Sequence, residues 1–256
     1  MSSGFGAFLG KEFRETVRTW RLWVLPGILL VMAVTAPILT KATPALLRAT
    51  AHSRPGVVIR MPTPTAADAY LQYMGNLSQL VLLAIVITGA SVISSERKGG
   101  TAVLVLTKPL SRAGFIVAKA VSQLVLLCAA SVAGAALCAA VTIGLFGTTS
   151  DIAAFAAAFG LWLFVAAMTT TLMLFLSAAL DSQAAAAGAG LGVFVTLSVL
   201  TAFPLTRDAT PAGLMAAAAP RLEHHSVALA WPVTTTVVLA VAFVAVAVMA
   251  FRRKEL

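Results

Sequence analysis

Apolar positions come in long unbroken stretches, and charged residues are confined to the segments between them. The ranges 22–40, 69–95, 120–150, 152–180, 182–206 and 226–251 contain no Asp, Glu, Lys or Arg. Each is long enough for a helix of about 20 apolar residues, the length that crosses roughly 30 Å of hydrocarbon. None alternates polar with apolar at period two, as the strands of a membrane barrel would. The pattern predicts an all-α polytopic membrane protein, a single transmembrane domain over 1–256. Its six spans are placed at approximately 22–40, 74–94, 116–146, 152–180, 184–204 and 227–251.

Ahead of the first span, Leu9, Phe13, Val17 and Trp20 recur at helical spacing while Lys11, Glu12, Arg14, Glu15 and Arg18 take the other faces. This predicts an amphipathic helix over 5–21 lying in the membrane interface, with Trp20 and Trp23 at headgroup level. The first 21 residues are too charged, and the next apolar run too long, for a cleaved secretory signal.

Composition agrees: 60% hydrophobic and 11% charged residues, with a mean hydropathy of +0.97, leave far more apolar surface than one soluble core hides. Charge adds orientation. With both termini on one side, that side holds twelve of the 18 Lys and Arg residues, from Lys11 through Arg97, Lys98 and Lys119 to Lys254. Basic residues in short loops stay cytoplasmic, so both termini are expected inside. The net charge of +9 is read as topological retention and attraction to membrane lipids, and no nucleic acid is expected as partner.

Within the spans, chemistry is sparse. Gln72, Asn76 and Gln79 are spaced i, i+4, i+7 and place three amides on one face of the second span. Two readings stay open for them: hydrogen bonding between helices, or a transport pathway. Ala184, Gly188 and Gly192 repeat every fourth residue in the fifth span, a spacing that admits a close partner inside or outside the chain. Cys128 and Cys138 lie ten residues, about 15 Å, apart along one helix and are too distant to bridge. Pro37 is expected to kink the exit of the first span, and Pro44, Pro55, Gly56, Pro62 and Pro64 to keep the following loop irregular. Asp151, and Asp181 or Ser182, are the expected caps of the fourth and fifth spans. Ala212 to Ala219 is read as an outer re-entrant or interfacial helix. The three histidines, His52, His224 and His225, lie in external loops, and neither a metal site nor a catalytic group is expected.

The loop 95–119 reads SERKGGTAVLVLTKPLSRAGFIVAK. Gly99 and Gly100 are expected to stop the incoming helix, Thr101 to cap a short apolar helix, and Pro109 to end it. Glu96, Arg97, Lys98, Gly99, Gly100 and Thr101, continued by Leu104, Leu106, Thr107, Lys108, Pro109, Ser111, Arg112 and Lys119, resemble the signature of type-two ABC transporter permeases. That pattern runs acid, basic, Gly-Thr, a leucine-rich turn, Lys-Pro-x-Ser-Arg and a later Lys. The resemblance extends to the basic helix before the first span, to Ala69 to Tyr73 and Asn76 to Gln79, and to the span count. It implies the membrane subunit of an ABC exporter in a bacterial inner membrane, paired with a second permease subunit, identical or related, and with two ATP-binding subunits. ATP and Mg would be bound by those partners, with no cofactor on this chain. Glu96, Arg97, Gly100, Thr101, Leu104, Pro109 and Arg112 would form the coupling helix that meets the ATPase.

This chain has no G-x-x-x-x-G-K-[ST] loop, so it is not expected to hydrolyse ATP. The alternative is an ion-coupled secondary transporter, whose site would be built from the hydroxyls of Thr169 to Thr171, Ser177, Thr196 and Ser198. The absence of charge from the spans favours a lipophilic or amphipathic cargo such as a drug, peptide or lipid.

Overall fold

In the computed structural model, the residues described are 6, 10, 21–51, 63–94, 112–149, 151–223 and 229–253. Six helices among them are long and apolar enough to cross a membrane. They are α1 (Arg21–Ala51), α2 (Ala66–Gly89), α3 (Arg112–Phe146), α4 (Ile152–Ala179), α5 (Gln183–Leu200) and α9 (Ala230–Arg253). Three short helices, α6 (Pro204–Arg207), α7 (Ala212–Ala216) and α8 (Ala218–Leu222), connect α5 to α9. The predicted interfacial helix over 5–21 and the loop 95–111 fall almost wholly outside the described residues.

α4 is the hub. It packs against α2, α3, α5, α7, α8 and α9, and α1 sits at the edge against α3 and α2. The reason lies in its sequence: α4 is apolar on every side and carries buried Phe155, Trp162, Val165, Met173 and Ser177 along its whole length. Trp162 is the largest fully buried side chain among the described residues, packed beside Phe159 of its own helix within the main apolar core. By contrast α5 and α9 bury little and display Val195, Val199, Val238 and Val241, as helices bordering lipid do.

Helix boundaries depart from the sequence expectation in three places. α1 does not yield to a loop after Thr40 but continues through Pro37 and Pro44 to Ala51. The hydroxyls of Thr35, Thr40 and Thr43 each donate to a carbonyl one turn back, those of Val31, Ala36 and Leu39, at 2.8, 2.9 and 2.7 Å, so these polar side chains are paired within the helix itself. The long flank of α3 supports the extension, because Lys41 donates to the Leu145 carbonyl and its ammonium lies 5.7 Å from the Phe146 ring. At 31 and 35 residues, α1 and α3 are roughly 46 and 52 Å long, well beyond the hydrocarbon thickness. α3 then closes on Gly147, whose φ of +69° only glycine adopts freely.

α2 starts earlier than expected, at Ala66. Thr65 and Asp68 form a capping box: the Asp68 carboxylate accepts the Thr65 N–H at 2.8 Å, and the Thr65 hydroxyl oxygen accepts the Asp68 N–H at 3.3 Å. The regular ladder of the same helix closes at Gly89, short of the expected 94, with turns over 90–93, and the expected stop at Gly99 and Gly100 lies outside the described residues. Of the expected caps, Ser182 accepts the Ala185 N–H at 3.5 Å, whereas Asp151 stands at the N-cap of α4 without a side-chain bond to it. The segment 212–219 forms α7 and α8, with Ala212, Leu214, Ala217 and Leu222 buried.

The small residues of α5 divide into two faces. Ala186 and Gly190 turn inward, where a Cβ on Gly190 would meet Met173 Sδ at 2.4 Å and Val86 Cγ1 at 2.9 Å. The Ala184, Gly188 and Gly192 repeat turns outward, and among the described residues a Cβ added at either glycine would meet nothing within 4 Å. That repeat therefore serves no contact among the described residues.

Candidate functional site

Aromatic packing sets the rotation of α2. The Tyr70 ring stacks on Phe155 of α4 at 4.3 Å and 11°, and the Tyr73 ring leans on the same residue at 6.1 Å. With Tyr70, Tyr73, Met74, Leu77 and Val81 buried, the opposite face of the helix points out of the bundle. That outward face carries Asp68, Gln72, Gly75, Asn76 and Gln79. Together with Thr40, Thr43 and Pro44 of α1 they line a cleft of about 550 Å³.

All three predicted pathway amides thus meet in one cleft. Gln72 donates through Nε2 to Asn76 Oδ1 at 3.4 Å, the only hydrogen bond found for these amides among the described residues. Gln72 and Gln79 are exposed and Asn76 half-buried, so they are not spent on contacts between helices of this chain. A π-helical turn at Leu77–Val81 interrupts α2 beside them, an irregularity that recurs at functional sites. The hydroxyls of Thr40 and Thr43 are committed as donors to Ala36 and Leu39, leaving their lone pairs toward the cleft. Lys41 adjoins Thr40 in sequence but is held at the end of α3, away from it.

The second predicted group, Glu96, Arg97, Gly100, Thr101, Leu104 and Pro109, lies outside the described residues; Arg112 opens α3. Their two roots are visible. Where α2 ends, Ser177 Oγ accepts N–H bonds from Ile93 at 2.9 Å and Ser94 at 3.1 Å, and donates to the Ala90 carbonyl at 3.0 Å. Where α3 begins, Phe115 stacks on Phe251 of α9 at 5.3 Å, and the ammonium of buried Lys119 lies 5.3 Å from the Phe115 ring. Both roots are therefore fixed to α4 or α9.

Sequence reasoning missed two of these residues. Asp68 was legible as the fourth position of a Thr-x-x-Asp cap, one turn before Gln72. Ser177 was grouped with hydroxyls for an ion site, and it is instead the knot that ties α2 to α4. The remaining hydroxyls of that group, on Thr169, Thr170, Thr171, Thr196 and Ser198, each donate to a carbonyl of their own helix at 2.8–2.9 Å.

Comparison with known proteins places this architecture. A stretch of 120 residues is 24% identical to the uncharacterized transmembrane protein YxlG of Bacillus subtilis (strain 168). The match covers 47% of this chain and 46% of that protein, so it spans about half the length of each. Residues 7–256 match the family described as ABC-2 family transporter protein. With that match running nearly end to end over six membrane-crossing helices, the chain belongs to the ABC-2 transporter family, as a membrane-embedded transport component.

Proposed function

We propose that this chain is the permease subunit of an ATP-driven exporter. It works with two separate ATP-binding subunits and a second permease subunit, in a bacterial cell membrane with both termini cytoplasmic. The observation that carries the reading is the outward polar face of α2: a row of amides in a membrane-crossing helix, aimed away from its own bundle, needs water, cargo or another subunit opposite it. By the distribution of basic residues, the cleft opens on the outer side. The loop 95–119 and its seven candidate contact residues meet the ATPase on the inner side, and its roots on α4 and α9 carry ATP-driven movement into the bundle as rigid-body motion.

A lipophilic or amphipathic cargo suits a cleft that sets the apolar Leu71, Pro44 and Pro64 beside these amides, the Asp68 carboxylate and the Thr40 and Thr43 hydroxyls. The match of residues 7–256 to the ABC-2 family supports this reading over an ion-coupled carrier. The test is recovery of the tagged chain from membranes of its own host under mild detergent. An ATP-binding cassette protein retained with it, hydrolysing ATP, is the expected result. Recovery of the intact chain without any such ATPase contradicts the proposal.

A further inference from the structure

We infer that the α1/α2 cleft selects organic cations with an apolar body, and that Asp68 is the residue that sets this preference. The inference rests on the transport reading of the cleft and adds the charge of what it holds. Asp68 is the one charged side chain among the described residues that line the cleft. Its bonds with Thr65, two at 2.8 Å, both fall on Oδ2, which leaves Oδ1 for a ligand.

Lys41 of α1 does not neutralise this carboxylate, because its ammonium is engaged with the Leu145 carbonyl and the Phe146 ring. One and two turns further along α2, Gln72 and Asn76 offer amide oxygens, and the Thr40 and Thr43 hydroxyl oxygens present lone pairs. Leu71, Pro44 and Pro64 supply apolar wall. A single carboxylate among neutral acceptors and hydrocarbon is too few charged ligands for a small divalent ion, which takes six or more oxygens. It fits a monovalent ammonium or phosphonium whose bulk lies on the prolines and leucine, and it repels an anion of equal shape.

The matched ions tetraphenylphosphonium and tetraphenylborate separate these cases. The full chain is placed in phosphatidylcholine nanodiscs, and the saturable binding of each labelled ion is measured. The parent is expected to bind the cation and not the anion, and Asp68→Asn to weaken the cation by about two- to fivefold, the range of a partly exposed ion pair. Because Asp68 also caps α2, Thr65→Ala is measured beside it: this variant loses the cap and keeps the carboxylate, so its preference for the cation is expected to persist. Equal binding of both ions by the parent, or unchanged cation affinity in Asp68→Asn, overturns the inference while leaving a ligand-binding cleft in place. No saturable binding of either ion removes the transport reading of the cleft together with the inference.

Discussion

Ser177 and Ile93, 84 residues apart in sequence, are joined by a 2.9 Å hydrogen bond in which a backbone N–H at the end of α2 donates to a serine hydroxyl on α4. The same oxygen takes the Ser94 N–H and returns a proton to Ala90, so one side chain satisfies three backbone groups where the helical ladder has stopped. Ile93, Ser94 and Ser177 are all buried, so these backbone groups need a partner within the protein and Ser177 supplies it.

Ser177→Ala leaves two buried N–H groups without their acceptor, while the Ala90 carbonyl keeps the bond from the Ser94 hydroxyl at 3.1 Å. The expected loss is about 1–2 kcal/mol of stability, seen as a lower unfolding midpoint in detergent. Ser198→Ala, which removes only a bond within α5 to the Phe194 carbonyl, is expected to shift the midpoint far less.

Tyr73 gives the opposite sign. Its hydroxyl is fully buried without a hydrogen-bond partner among the described residues, while its ring packs near Phe155. Tyr73→Phe keeps the ring and removes the unpaired group, and is expected to raise stability by roughly 0.5–1 kcal/mol in the same assay. A lowered midpoint would show that the hydroxyl has a partner in the membrane.

Gly188 and Gly190 are two residues apart on α5 and face different neighbours. A leucine at Gly190 drives into Met173 and Val86, and Gly190→Leu is expected to reduce the yield of folded protein. At Gly188 there is open space, so Gly188→Leu is expected to fold normally. If the outward repeat of small residues seats the second permease subunit, that variant loses copurification of two differently tagged copies. Retained pairing would place the subunit contact elsewhere.

Glu96→Ala and Leu104→Asp address the coupling assignment. Each is expected to weaken retention of the ATP-binding subunit severalfold with membrane insertion unchanged, as read from pull-down and membrane fractionation. Full retention in both variants would remove loop 95–119 from the contact.

The six crossings were legible because the bilayer imposes them: a run such as 152–180 has no other way to hide its apolar side chains. The three amides on α2 were legible as a face for a similar reason, since helical spacing alone aligns Gln72 with Asn76 and Gln79. The limits of α1 and α2 were not. Proline at 37 and 44 signals a break only when nothing compensates, and here packing against the flank of α3 does so. Which small residues of α5 turn inward depended on Met173, far away in sequence, and so did the role of Ser177 on the position of Ala90. Local pattern fixes which groups share a helix face but not what that face meets.

The claim on which the rest depends is that the polar face of α2 borders water along a route through the membrane. Single cysteines at Gln72, Asn76 and Gln79, with Cys128 and Cys138 replaced by alanine, can be exposed in sealed cells to a membrane-impermeant maleimide. Controls are cysteines at Leu77, which is buried, and Leu80, which is exposed but does not line the cleft. Reaction at 72, 76 and 79, with 77 and 80 unlabelled, is the predicted result; if the three amide positions are as unreactive as the two leucines, the face is sealed and the account is contradicted.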